Sequence, residues 1–451
     1  MLKANEPAHK PTHQPAHNPA LDTLPDSRQQ RLRAWLTNVK YYLGLIVLIA
    51  LGALTSPHAA DGSNIFLSAA NFSDVFRQVA NVGVMSVGMT LVIITAGIDL
   101  SVGSVMGFGS VLTAILLTTP GSNTASWTAL GLDAVSIFII VCGAGGLLAR
   151  RTRVKGAGVH VQHNGLRVAV ALVCALLACA YAWHQLPVKV SLWTVLWMVP
   201  LAGLAIGALN GWIITRGRMQ PFIVTLAAMV GVMGVARLVA GQDTAVYSIY
   251  SGSNATTDIE ILRALLFGVV PVPALFFIVI ALLADFVLNR TVFGKYLYAI
   301  GGNEKCARIS GLRVDRNKIA AYAISGMLSA LVGVLYAAQY RQGKADAGVG
   351  WELDAIAAVV IGGTSLMGGV GRIAGTVAGV LIFGFLGNIL LLNNIDSNTQ
   401  LVMKGLIIVV AVFLQQTRMN PQTMFARLSG RKNAITTPAQ RPASEGGTEK
   451  R

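Results

Sequence analysis

Apolar runs close to the length of a bilayer-crossing helix recur from residue 39 to residue 417, and they restrict the fold of this 451-residue chain more than anything else in it. About 17–25 such residues span a hydrocarbon core of about 30 Å. The runs lie near 39–56, 79–97, 102–118, 128–149, 167–186, 190–215, 219–241, 262–289, 319–339, 353–369, 371–393 and 400–417. Lipid supplies no hydrogen-bond partner, so each lipid-facing run must satisfy its own backbone, and the runs are read as helices. Only 12% of residues are charged and 54% are hydrophobic, against roughly 25% charged in an ordinary soluble domain. The expectation is an all-α polytopic membrane protein of about 10–12 transmembrane helices. Its membrane domain covers 39–417, between disordered tails at 1–38 and 418–451.

The formal charge of +16 could point to nucleic acid, so its placement decides its meaning. An even number of spans puts both tails on one side. That side then holds Arg150, Arg151, Arg153, Arg216, Arg218, Arg290, Lys295, Lys305, Arg308, Arg313, Arg316, Lys318 and Arg418, whereas the other holds only Arg77, Lys189, Arg263, Arg341 and Lys344. This is the positive-inside pattern, so the basic excess reads as topology, with both termini cytoplasmic and nucleic acid excluded. The polar N-terminal tail shows no short apolar run with a cleavage site, so no cleavable signal peptide is expected. His9, His13 and His17 are spaced for one helix face, but Pro11, Pro15 and Pro19 oppose that helix, which favours disorder over metal binding. Cys142, Cys174, Cys179 and Cys306 have no metal-ligand spacing, and no metal site is expected.

Three stretches carry more than hydropathy. In Ile98-Asp99-Leu100-Ser101-Val102-Gly103-Ser104 a carboxylate interrupts two apolar runs. A charge at that depth is costly unless protein surrounds it or it caps a helix. Asp99 therefore reads as the N-cap of the next helix, with contact to a passing polar substrate through Asp99, Ser101, Gly103 and Ser104 as the alternative. In the loop after residue 290, Gly301 and Gly302 are expected to break the chain ahead of Asn303, Glu304 to Ser310 with Ala307 and Arg308 to make a short helix, and Gly311 to end it. Such a helix can dock in a partner's groove or serve as a plain connection. In the third stretch, Glu352 to Gly369, Glu352 and Asp354 are placed at the periplasmic mouth, either meeting a docking protein or solvated. Asp133, Arg237, Asp285 and Lys404 are the main charges inside spans, a scarcity that weighs against an ion-coupled carrier. Gly203, Gly207 and Gly211, and Gly371, Gly375 and Gly379, read as close-packing stripes.

These stretches, with Val87 to Ile93 ahead of the first, resemble the permease subunits of ATP-binding-cassette sugar importers, in the branch of the ribose, xylose, arabinose and galactofuranose permeases. The resemblance covers most of 70–417. It implies a type II importer fold similar to the membrane subunit of the vitamin B12 importer. It also implies two permease copies, a periplasmic sugar-binding protein, a location in the bacterial inner membrane, and a coupling helix over 301–311 received by an ATPase subunit. The chain has no GxxxxGK[ST] phosphate loop, so ATP and Mg are expected on that separate subunit and no cofactor on this one. Cys306 stands where the family usually has alanine. The stretch Ser104–Arg216 is longer than the family pattern and holds an extra pair of spans near 128–186. Alternatives are a branched-chain amino-acid permease of the same class, a secondary carrier working alone, or a membrane anchor.

Overall fold

The computed structural model describes residues 44–121, 124–153, 164–185, 190–241 and 246–417. Both tails, with the three histidines, lie outside the described residues. The described chain is built of helices: α1 Gly44–Thr55, α2 Ala69–Ile94, α3 Val102–Thr118, α4 Thr124–Arg153, α5 Asn164–Gln185, α6 Leu192–Gly217, α7 Pro221–Ala240, α8 Val272–Arg290, α9 Val292–Gly302, α10 Glu304–Ile309, α11 Val314–Tyr340, α12 Trp351–Ile361, α13 Ile373–Leu392 and α14 Ser397–Thr417. Among the described residues six of these, α2, α6, α7, α8, α11 and α13, are long and apolar enough to cross a membrane. Short strands β1 Val246–Ser248 and β4 Gln342–Lys344 pair antiparallel, as do β2 Leu265–Leu266 and β3 Val270–Pro271.

Four elements depart from the hydropathy reading. Helix α2 starts ten residues early because Ser68 caps it, accepting from Asn71 N at 3.2 Å, and because Asp74 and Arg77 pair along its polar first turns. The run at 262–289 begins as a hairpin, since Phe267 and Gly268 take positive φ and α8 starts only at Val272. An apolar run without periodicity does not distinguish the two. Gly301 and Gly302 do not break the chain; they are the last turn of α9, an unforeseen helix. The span at 353–369 is half a helix, ending at Ile361, because Gly363, Gly368 and Gly369 adopt left-handed backbone.

Helix α11 is the axis, packed chiefly on α6, α3 and α2. On α6, Gly203, Gly207 and Gly211 lie against Gly326, Tyr322 and Ile319 of α11, and a methyl group at Gly207 would strike the Tyr322 carbonyl. Lipid is as apolar as leucine, so helices here associate through such close contact and through polar pairs rather than by hydrophobic burial. The pairs are present on α2: Asn71 and Asn388 exchange two hydrogen bonds, of 3.1 and 2.7 Å. Further along it, Asn81 donates to Gln339 at 3.1 Å and Thr90 meets Thr376 at 2.7 Å. Helices α4 and α5, read from the sequence as an added pair, lie to the side, α5 on α4 and α4 on α6.

Candidate functional site

The break between α2 and α3 is knitted to three other helices. Ala96 takes φ +59°, and Ala96 N and Gly97 N bond back to Ile93 O and Val92 O, which closes α2. Asp99 follows, only 1% exposed. Its Oδ1 accepts from Ser101 N at 3.1 Å and Ser101 Oγ at 2.6 Å, and its Oδ2 accepts from Ser325 Oγ of α11 at 2.8 Å. Asn210 of α6 donates to Ser101 Oγ at 3.0 Å, and Thr225 Oγ1 of α7 lies 3.2 Å from Ile98 O. Asp99 is thus not the N-cap of α3. That position belongs to Ser101, whose side chain makes no cap bond, and Asp99 reaches the same backbone from two residues upstream. Ser104 Oγ turns to Ser101 O at 3.2 Å, so the polar atoms of this stretch bond to protein.

The third stretch is brought to the first. After α11 the chain turns back and runs antiparallel along α3. Ser110 Oγ accepts from Lys344 N at 3.1 Å, and a methyl group at Gly107 would strike Ala345 O. One at Gly103 would strike both Gly348 O and Glu352 Oε2. Glu352 is therefore not a solvated loop charge. It is 8% exposed, its Oε1 accepts from Gly350 N at 3.1 Å, and it sits where the first turns of α3 and α12 meet. Two helix N-termini favour a carboxylate there, which accounts for its burial. Asp354 is not a solvated loop charge either. It lies in the first turn of α12, paired with Lys404 of α14 at 2.9 Å. Of the four charges noted within spans, Lys404 alone meets an opposite charge among the described residues. Asp285 accepts from Asn289, Arg237 lies against Met233, and both oxygens of buried Asp133 lack a partner.

The second stretch stands at the end of the bundle toward which α2 descends. Asn303 caps α10, accepting from Cys306 N at 3.0 Å, and Gly311, at φ +77°, closes the turn after Ser310. Ala307 is buried with Ile300 and Val314, whereas Ile309, 87% exposed, points away from the bundle. Glu304 receives Lys318 at 2.6 Å and Arg308 at 3.3 Å, and Arg308 also reaches Asp315 at 2.9 Å. Burial pushes the Glu304 carboxyl upward, but the Lys318 and Arg308 bonds outweigh it and leave the group below the usual range. Asp315 and then Glu304 raise the Arg308 guanidinium further. A cleft of about 700 Å³ opens between this cluster and the α6–α7 turn, where Arg216 and Arg218 line it.

All three stretches meet beneath α10. Gly369 N donates to Ile94 O at 2.9 Å, and Tyr298 of α9 donates to Gly371 O at 2.8 Å. A methyl group at Gly301 would strike Ile94 O and Gly369 N. The end of α2, the α9–α10 hinge and the loop after α12 thus form one glycine-lined junction. Sequence reasoning found each part but missed the junction and the Asp354–Lys404 pair; the glycines at 301, 368 and 369 were the available signal.

A helical bundle with six helices long and apolar enough to cross a membrane, a half-length α12 and a short helix standing out from one end is a multi-pass membrane protein. The chain belongs to the permease family of ABC-type importers, in the bacterial inner membrane. The family described as branched-chain amino acid transport system / permease component matches residues 71–412. The chain is 34% identical over 398 residues to the ribose import permease protein of Escherichia coli K12, covering 87% of this chain and 97% of that protein. The ribose import permease protein of Bacillus subtilis is 33% identical over 377 residues, 84% and 92% of the two chains. The xylose transport system permease protein of Escherichia coli K12 is 32% identical over 400 residues, again 84% and 92%. No solved structure matches. Such proteins are transport subunits, and the chain is one of them rather than an enzyme.

Proposed function

We propose that this chain conducts a monosaccharide, a pentose or hexose, across the inner membrane as the permease of an ATP-driven importer. The names of its curated relatives favour sugar over the branched-chain amino acids of the family description. The observation that carries the mechanism is the junction at the end of α9, whose last turn, directly ahead of the short outward-facing α10, touches both the end of α2 and the loop after α12. In this reading α10 is the coupling helix, both termini are cytoplasmic, and the ATPase subunit grips Ile309 and the Glu304–Arg308 cluster. A partner that binds one position of α10 more tightly biases the bundle toward the matching state, and ATP with Mg on that partner switches the preference. Two permease copies flank the path, and a periplasmic binding protein delivers the sugar, as in a type II importer. Glu352 belongs to the internal frame rather than to the surface that meets the binding protein.

The test is uptake of radiolabelled ribose or xylose by vesicles holding the permease, its ATPase and its binding protein. Uptake should require ATP, and scrambling Glu304–Ser310 should abolish both uptake and co-purification of the ATPase. Vesicles holding this chain alone that accumulate sugar at full rate without nucleotide would show a self-energised carrier instead.

A further inference from the structure

Asp354 and Lys404 form an ion pair level with the middle of α13. Helices α12 and α13 are antiparallel, with Ala358 O against Gly379 and Gly362 against Gly375. One further turn brings Asp354 level with Phe383, and Lys404 Nζ lies 5.5 Å from the Phe383 ring. Phe383 is the eleventh of the twenty residues of α13, so the pair lies about 15 Å from either end of that span at 1.5 Å per residue. Lys404 Nζ is 2.9 Å from Asp354 Oδ2 and 3.2 Å from Oδ1. Neither side chain is closed off: 19% of the aspartate and 24% of the lysine remain exposed.

Charges left partly open at that depth do not face acyl chains, because lipid cannot solvate them; they face a wet cavity or a partner. The chain re-enters the bundle along α3 and α12 starts from inside it, and backbone of this kind within a membrane is tolerated where it lines water or is buried in protein. Discontinuous helices that begin near the midplane are where carriers place substrate sites. Helix α14 packs mainly on α12.

We infer that the Asp354–Lys404 pair is a polar waypoint on the sugar path, where the hydroxyls of a neutral polyol replace the bonds that carboxylate and ammonium otherwise make to each other. The inference rests on the sugar-permease reading. A monosaccharide carries adjacent hydroxyls that both donate and accept. The carboxylate takes their protons, the ammonium supplies protons to their oxygens, and the pair closes again once the sugar leaves. Because the two charges cancel, the site opposes cations and anions about equally and holds no ion tightly.

The test uses the chain reconstituted with its ATPase and binding protein. Replacing one partner alone leaves an unpaired, partly buried charge, so the informative variant is the double change D354N/K404Q, whose two amides are uncharged and still able to hydrogen-bond. Losing the charge-assisted bonds should lower ribose or xylose uptake about tenfold while ATPase stimulation by the loaded binding protein persists. In a chain with its four cysteines replaced by serine, the thiol introduced by D354C/K404Q should react with a charged methanethiosulfonate, and transported sugar should slow that reaction. D354N/K404Q uptake at the wild-type rate, or an introduced thiol that the reagent cannot reach or that sugar does not protect, overturns the inference. Wild-type vesicles without ATP-dependent sugar uptake would instead sink the permease reading, a result recorded separately in the same experiment.

Discussion

Asp99 illustrates how a charge survives at membrane depth. Its carboxylate accepts three hydrogen bonds, and its partners tie the α2–α3 break to α6 through Asn210 and to α11 through Ser325. Asp99→Ala leaves Ser101 N, Ser101 Oγ and Ser325 Oγ without their acceptor. It should destabilise the folded protein in detergent by about 2–4 kcal/mol, on the scale of unsatisfied buried donors. Asp99→Asn keeps an acceptor for Ser101 and should cost about 1 kcal/mol. Thermal unfolding measures both. The D99N protein should transport near the wild-type rate, because the group acts on the fold; full stability without transport would place substrate at this carboxylate. The sequence displayed the cost of Asp99 but not the serine that relieves it, which stands 226 residues away.

Helix α10 is too short to persist alone, since nucleating a helix fixes several residues for the first hydrogen bond. It is held by the Asn303 cap, by Ala307 in the Ile300–Val314 cluster, and by the Glu304, Lys318, Arg308 and Asp315 bonds. The pH dependence follows from Glu304. A carboxyl held below its unfolded value stabilises the folded form above that unfolded value, and the contribution fades as pH falls through the folded one. Hydrogen exchange of amides 304–310, corrected for intrinsic rates, should therefore be flat from pH 8 down to about 4.5, the ordinary range for a glutamate, and rise only below it. Loosening between pH 7 and 6 would mean that another group controls the helix. The cap and the closing Gly311 were legible because they act over a few residues. Helix α9 and the early stop of α12 were not, because they depend on Gly301, Gly368 and Gly369 meeting Ile94 and Ala96.

At the scale of the whole molecule, α4 and α5 lie at the side of the bundle. Helices α3 and α6 both pack on α11, and α5 reaches the rest mainly through α4. Replacing 122–189 by a short flexible linker should leave a monodisperse protein with ATP-dependent uptake, because the α4 contacts on α6 give way to lipid of equal apolarity. The change also removes Asp133, whose buried oxygens have no partner. Gel filtration and vesicle uptake check this, and a deletion that aggregates would make the pair part of the essential frame. By itself the sequence determined that the chain lives in a bilayer, that it is helical, roughly where its spans lie, and which family its motifs belong to. Each of these depends on a residue's preference for lipid or water, or on neighbours a few positions apart. Tertiary structure alone decided that three separated motifs share one junction, that the chain re-enters along α3, and that Asp354 meets Lys404. Lipid does not discriminate among the ways apolar helices can pack, so these pairings are set by shape and by polar contacts between residues distant in the chain.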